Sequence, residues 1–155
     1  MDTDDIIIAK GEEAEKNFRS GLGCCQSVLL AFKDELGMDE GTLKRLGAPF
    51  GGGIARMRHV CGAAMALFML SGLLKSNGDR TEDYARTRLL ADEYASENGS
   101  VICAELLKGI PTTDGTTPEA RDEGYYKRRP CASLCASAAR IAAKHLLSDK
   151  SEPDA

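Results

Sequence analysis

Apolar residues recur along this chain at helical spacing. Cys25, Leu29, Phe32 and Leu36 fall at i, i+4, i+7 and i+11, a stripe that predicts a helix over about 24–36 with Gly37 as its C-terminal cap. Before it, Ile7, Ala14 and Phe18 lie near one face of a helix that Asp4 or Asp5 can cap and that Gly21-Leu22-Gly23 breaks after Arg19. Val60 to Leu74 is almost free of polar residues and is bounded by Arg58-His59 and Lys75. It predicts a buried central helix over about 58–75. A short helix over 40–46 precedes the loop Gly47-Ala48-Pro49-Phe50-Gly51-Gly52-Gly53. Beyond the central helix, Asp79 or Thr81 caps a helix reaching about Glu97, and Val101 to Lys108 makes a shorter helical piece. Gly109 to Pro118 is rich in Pro, Thr, Asp and Gly and reads as a loop. A last helix follows Pro130 and runs to about Leu147. No stretch alternates with period two and none repeats. The expectation is all-α: one domain over 1–147, a bundle of five to six helices around the central one, with a polar disordered tail over 148–155.

The 155 residues suit one domain with one core, and 43% hydrophobic content excludes a wholly disordered chain. A net charge of −4 argues against a general nucleic-acid or anionic-membrane partner, which needs a basic footprint. The acidic start, Met1-Asp2-Thr3-Asp4-Asp5, lacks the basic opening and long apolar run of a secretory signal. The 15 residues of Val60–Leu74 fall short of the ~20 that span a bilayer. A cytoplasmic location is therefore expected, where free thiols, a metal site or a cycling dithiol are favoured over static disulfides.

That expectation bears on six cysteines, at 24, 25, 61, 103, 131 and 135. None forms a Cys-x-x-Cys pair, so neither the thioredoxin signature nor the common zinc-ribbon spacing is present. Placement is the remaining signal. Cys24, Cys61, Cys103 and Cys131 all fall near predicted helix starts, where unpaired N–H groups and the helix dipole stabilise a thiolate. Lowered thiol pKa values are expected at Cys24 and Cys131, with Arg128 and Arg129 adding to the effect at Cys131. Cys25 shares its stripe with core residues and reads as core. Cys135 lies one turn beyond Cys131, on the same face, and fits either role. Spacing alone leaves open whether the four form one site.

The blocks Cys24-Cys25-Gln26-Ser27-Val28-Leu29, Phe50 to Met57, Cys61-Gly62-Ala63, Val101 to Leu107, and Cys131 stand in an order that resembles the C_GCAxxG_C_C family of small redox-active proteins. The resemblance covers about residues 10–147. It implies that Cys24, Cys61, Cys103 and Cys131 are the functional cysteines, with Cys25 and Cys135 outside the pattern. The chain departs from the motif in placing Gly62 after Cys61, with Val60 before it, and in carrying Ala66 where the final glycine stands.

Two chemistries then fit the four sulfurs: thiol–disulfide cycling as an oxidoreductase with an electron-transfer partner, or a Cys₄ metal centre, either an iron–sulfur cluster or structural zinc. A third reading is a non-enzymatic helical interaction module with core cysteines. Gly51, Gly52, Gly53 and Arg56 are expected to shape the site by turning the chain toward the thiols. The glycine run lacks the Gly-Lys-Ser/Thr ending of a nucleotide loop. His59 and His145, the only histidines, form no ligand pair. Tyr125-Tyr126-Lys127-Arg128-Arg129 reads as a solvated loop or contact surface.

Overall fold

The computed structural model describes residues 2–147, so the tail expected over 148–155 lies outside the described residues. Among those residues the chain forms nine α-helices and no strand. They are α1 (Thr3–Arg19), α2 (Cys24–Leu30), α3 (Lys33–Leu36), α4 (Glu40–Gly47), α5 (Gly62–Lys75), α6 (Arg80–Asn98), α7 (Cys103–Leu106), α8 (Glu123–Arg128) and α9 (Cys131–Ala142). A 3-10 turn at Ala48–Phe50 and a π turn at Ala143–Leu147 extend α4 and α9. The fold is all-α.

Helices α2, α5 and α9 pack on one another at the centre. α1 lies along α9, α4 beside α2, and α6 against α5 and α9. The packing follows from side-chain size. α9 buries Ala132, Ala136, Ala138, Ala139 and Ala142, and α5 buries Ala63, Ala64 and Ala66. Small side chains let helix axes approach closely, while Leu29, Phe32, Leu67, Leu70 and Leu134 fill the space between. No described helix is long and apolar enough to cross a membrane.

Three boundaries differ from the sequence reading, each for a tertiary reason. The central helix begins at Gly62 rather than near 58, because residues 52–58 wind the other way. Gly52, Gly53, Ile54, Ala55, Arg56 and Arg58 all have φ between +49° and +72°. The helix expected over 24–36 breaks at Ala31–Phe32, where the Lys10 ammonium donates to the Ala31 carbonyl at 2.7 Å. The segment read as a solvated aromatic–basic loop is instead α8. Asp122 caps it by accepting from the Tyr125 N–H at 2.8 Å, and Tyr125 is buried against Phe18.

Candidate functional site

Each of the four cysteines singled out by the family pattern sits at a helix start. Cys24 opens α2, Cys61 is the N-cap of α5, Cys103 opens α7 and Cys131 opens α9. Because α2, α5 and α9 pack together, their first residues can meet at one end of the bundle. α7 is held there by a short extended contact. Val60 and Ile102 form an isolated antiparallel bridge, Cys61 N–H donates to Val101 O at 2.7 Å, and Cys103 N–H donates to His59 O at 2.6 Å. The result is one cavity of about 410 Å³ with all four thiols on its wall. Gly51, Gly52, Gly53 and Arg56 line it too.

Local contacts explain why neighbouring motif residues are needed. Gln26 accepts from the Gly23 N–H at 2.9 Å and donates to Lys44 O at 2.8 Å, capping α2 and tying it to α4. Gly62 leaves room for sulfur: a Cβ there would lie 2.3 Å from Cys24 Sγ and 2.7 Å from Phe50 O. Gly53, at φ +72°, plays the same part opposite Cys103, whose Cβ would stand 2.6 Å from an added one.

The thiol environment corrects one sequence expectation. Burial, not the helix dipole, dominates: it pushes the Cys131 thiol up to about 11 and the Cys24 thiol higher still. Burial also raises Cys103 and Cys135, and lifts Cys25 to about 12. Mutual repulsion adds to this, since a thiolate at Cys61 disfavours one at Cys24, Cys103 or Cys131. Resting thiols at Cys24, Cys103 and Cys131 are protonated at neutral pH.

Against that, every cavity cysteine faces a hydrogen-bonding group able to serve a thiolate. Cys24 receives the Gly52 N–H. Cys61 Sγ shares a hydrogen bond with the buried Tyr94 hydroxyl at 3.3 Å. Arg58 Nη1 donates to Cys103 Sγ at 3.9 Å, and the Arg129 guanidinium donates to Cys131. Arg128, also expected to act on Cys131, is exposed, and its guanidinium lies over Gly124 on its own helix. Burial, followed by the nearby cysteines, pushes the Tyr94 hydroxyl up, so it stays a donor. Glu119 gathers the arginines, meeting Arg56 at 3.5 Å and Arg58 at 3.9 Å and pairing with Arg129.

Cys25 and Cys135 are fully buried and stand behind the cavity wall, with the Cys135 thiol directed at the Cys24 carbonyl at 3.7 Å. His59 is exposed and serves through its backbone, while His145 hydrogen-bonds Glu93 at 2.8 Å.

Tyr94, Glu119 and Arg121 carry no motif signal. Only Tyr94 was open to inference, standing one turn after Leu90 on the buried face of α6. Among the described residues, no group of three or more His, Cys, Asp and Glu side chains is arranged to hold a metal ion. The Cys₄ metal arrangement that the sequence allowed is thus not preformed by these side chains.

No curated protein and no solved structure is significantly similar to the chain. The family model described as "Putative redox-active protein (C_GCAxxG_C_C)" matches residues 22–145. That span covers α2 through α9 and all four cavity cysteines, and the chain belongs to the C_GCAxxG_C_C family.

Proposed function

We propose that the protein is a thiol–disulfide oxidoreductase whose working groups are Cys24, Cys61, Cys103 and Cys131. One observation carries the reading: four thiols from the starts of four helices line one cavity, each beside its own hydrogen-bond donor. A core-only role for these cysteines needs neither the cavity nor the donors.

Cys131 is the attacking thiol. It is half-buried where Cys25 is fully buried, and Arg129 stabilises its thiolate as it forms. Cys61 is the resolving thiol, since its charge is felt by each of the other three. In the forward direction the Cys131 thiolate attacks one sulfur of a bound disulfide and displaces the other as a thiolate, which takes up a proton. Cys61 then gives its proton to solvent, attacks Cys131 Sγ and releases the second thiol. The protein dithiol loses two electrons and two protons, and an external dithiol returns them. The Tyr94 hydroxyl, buried behind the wall, fixes the position of Cys61 Sγ by its hydrogen bond.

The test is to oxidise reduced protein with diamide and map the bridges by mass spectrometry of a non-reduced digest. A Cys61–Cys131 bridge is expected. Bridges through Cys25 or Cys135, or none at all, would overturn the assignment. Protein purified without oxygen should carry no stoichiometric metal. Iron or zinc that shields the four cysteines from alkylation would replace this reading with a metal centre.

A further inference from the structure

The cavity differs from the rest of the molecule in charge. The chain as a whole carries −4. The charged side chains on the cavity wall are Arg56, Arg58, Arg121 and Arg129 against the single carboxylate of Glu119, a surplus of three positive charges. The Cys24, Cys103 and Cys131 thiols do not cancel that surplus, because burial raises them and they stay protonated at neutral pH. Nor is it a solvated surface patch. The side chains of Arg56, Arg58 and Arg129 are 11%, 17% and 8% exposed, so their field acts across a partly desolvated space where charge is weakly screened. Arg121 stands over the Phe18 ring at 4.1 Å and uses one nitrogen on the Phe18 carbonyl. Among the described residues, its other donors are used in no hydrogen bond.

A volume of about 410 Å³ suits a small molecule. The wall therefore combines groups that attack sulfur with groups that attract carboxylates. From this we infer that the substrate is a low-molecular-weight disulfide bearing carboxylate groups, seated with a carboxylate toward Arg121 and its sulfur toward Cys131. The inference rests on the thiol–disulfide reading above. In the reaction, the carboxylate disulfide takes two electrons and two protons from Cys61 and Cys131 and leaves as two carboxylate thiols.

The experiment compares three disulfides of matched arm length: the dianion dithiodipropionate, neutral hydroxyethyl disulfide and the dication cystamine. Each is mixed with reduced protein, and bridge formation is followed by quenched mass spectrometry. Every rate is normalised to that of the same disulfide with free mercaptoethanol. The dianion should react at least about tenfold faster than cystamine, with the neutral compound between them. High salt should shrink that ratio in the wild-type protein. Arg121→Gln should shrink it too, and Arg121→Lys should restore it.

Equal rates, a cystamine preference, or a ratio indifferent to salt would overturn the substrate class and leave the thiol–disulfide reading standing. If none of the three forms an intramolecular bridge, the redox reading fails and this inference fails with it. The salt series needs no variant, so a misfolded Arg121→Gln does not blunt the test.

Discussion

Cys24 and Cys25 are adjacent in sequence, yet they end in different surroundings. Cys24 faces the cavity, is half-buried and receives the Gly52 N–H. Cys25 points into the packing of α2 and α5 among Val28, Leu29 and Phe32, with only burial and the charge of Cys61 acting on it. The same division separates Cys131 from Cys135 one helical turn later. Burial raises the thiols on both sides of the wall, so acidity is not what distinguishes them. What differs is access to the cavity and the presence of a donor. A cysteine is equipped for chemistry here by what its sulfur faces.

The most severe break of this contrast is Gly62→Ala. The added methyl would overlap Cys24 Sγ and Phe50 O. Overpacking of this kind should cost about 1–3 kcal/mol or more, read from urea denaturation. It should also change the alkylation rate of Cys24 before that of any other cysteine.

Serine substitution sharpens the contrast without overpacking, at a cost that at most equals that of Gly62→Ala. Cys25→Ser places a hydroxyl in a fully buried apolar site and should lose about 1–3 kcal/mol, whether the protein is reduced or oxidised. Cys131→Ser has Arg129 as a partner and should lose less than about 1 kcal/mol when reduced. It should, however, abolish the stability gained on oxidation. Thermal melts with and without diamide distinguish the two classes, and equal behaviour would erase the distinction.

The mildest expected effect is on pH dependence. Iodoacetamide labelling of Cys131 should rise about tenfold per pH unit and level only near pH 11, well above an ordinary thiol. It should still precede labelling of Cys25. Stability follows the same shift. Above pH 9 the unfolded chain releases thiol protons that the folded chain retains up to about pH 11 at Cys131 and 12 at Cys25. The folded state then binds more protons, so stability is fully present below pH 9 and falls through that window. The melting temperature of reduced protein should decline between pH 9 and 11, and less steeply in Cys131→Ser.

Much of this was legible from the residues. The apolar stripes and their breaks placed the principal helices, with Cys24, Cys61, Cys103 and Cys131 near their starts, and the motif blocks singled out those four from the six. Local pattern was silent where distant residues decide the outcome. Residues 55–58 sit in a sequence compatible with a longer α5, and hydrogen bonds back to residues 49–54 together with contacts to residues 113–119 hold them otherwise. The sign of the thiol shifts could not be read either. A helix dipole is a local property, whereas burial by three other helices is not. Glu119 and Arg121 come from a loop region with no periodicity, and proximity to the thiols is created by the fold.

The left-handed turn at residues 52–58 has a consequence for how the molecule is made. Ile54, Ala55 and Arg56 each occupy a backbone conformation that costs an L-residue roughly 1–2 kcal/mol. Bonds within the turn, such as His59 N–H to Gly53 O at 2.9 Å, offset only part of this. The remainder depends on Arg56, whose guanidinium reaches Gly115 O at 2.6 Å and Thr113 O at 2.8 Å across more than fifty residues. Contacts between such distant residues carry a loop-closure cost and form after local ones. Local helical contacts are expected to form before these distant ones, and the turn gains its full set of partners only when the distant loop docks. Because Thr116, Pro118, Glu119 and Arg121 of that loop line the cavity, a chain whose loop has not docked carries its cysteines without the enclosure that raises their pKa values.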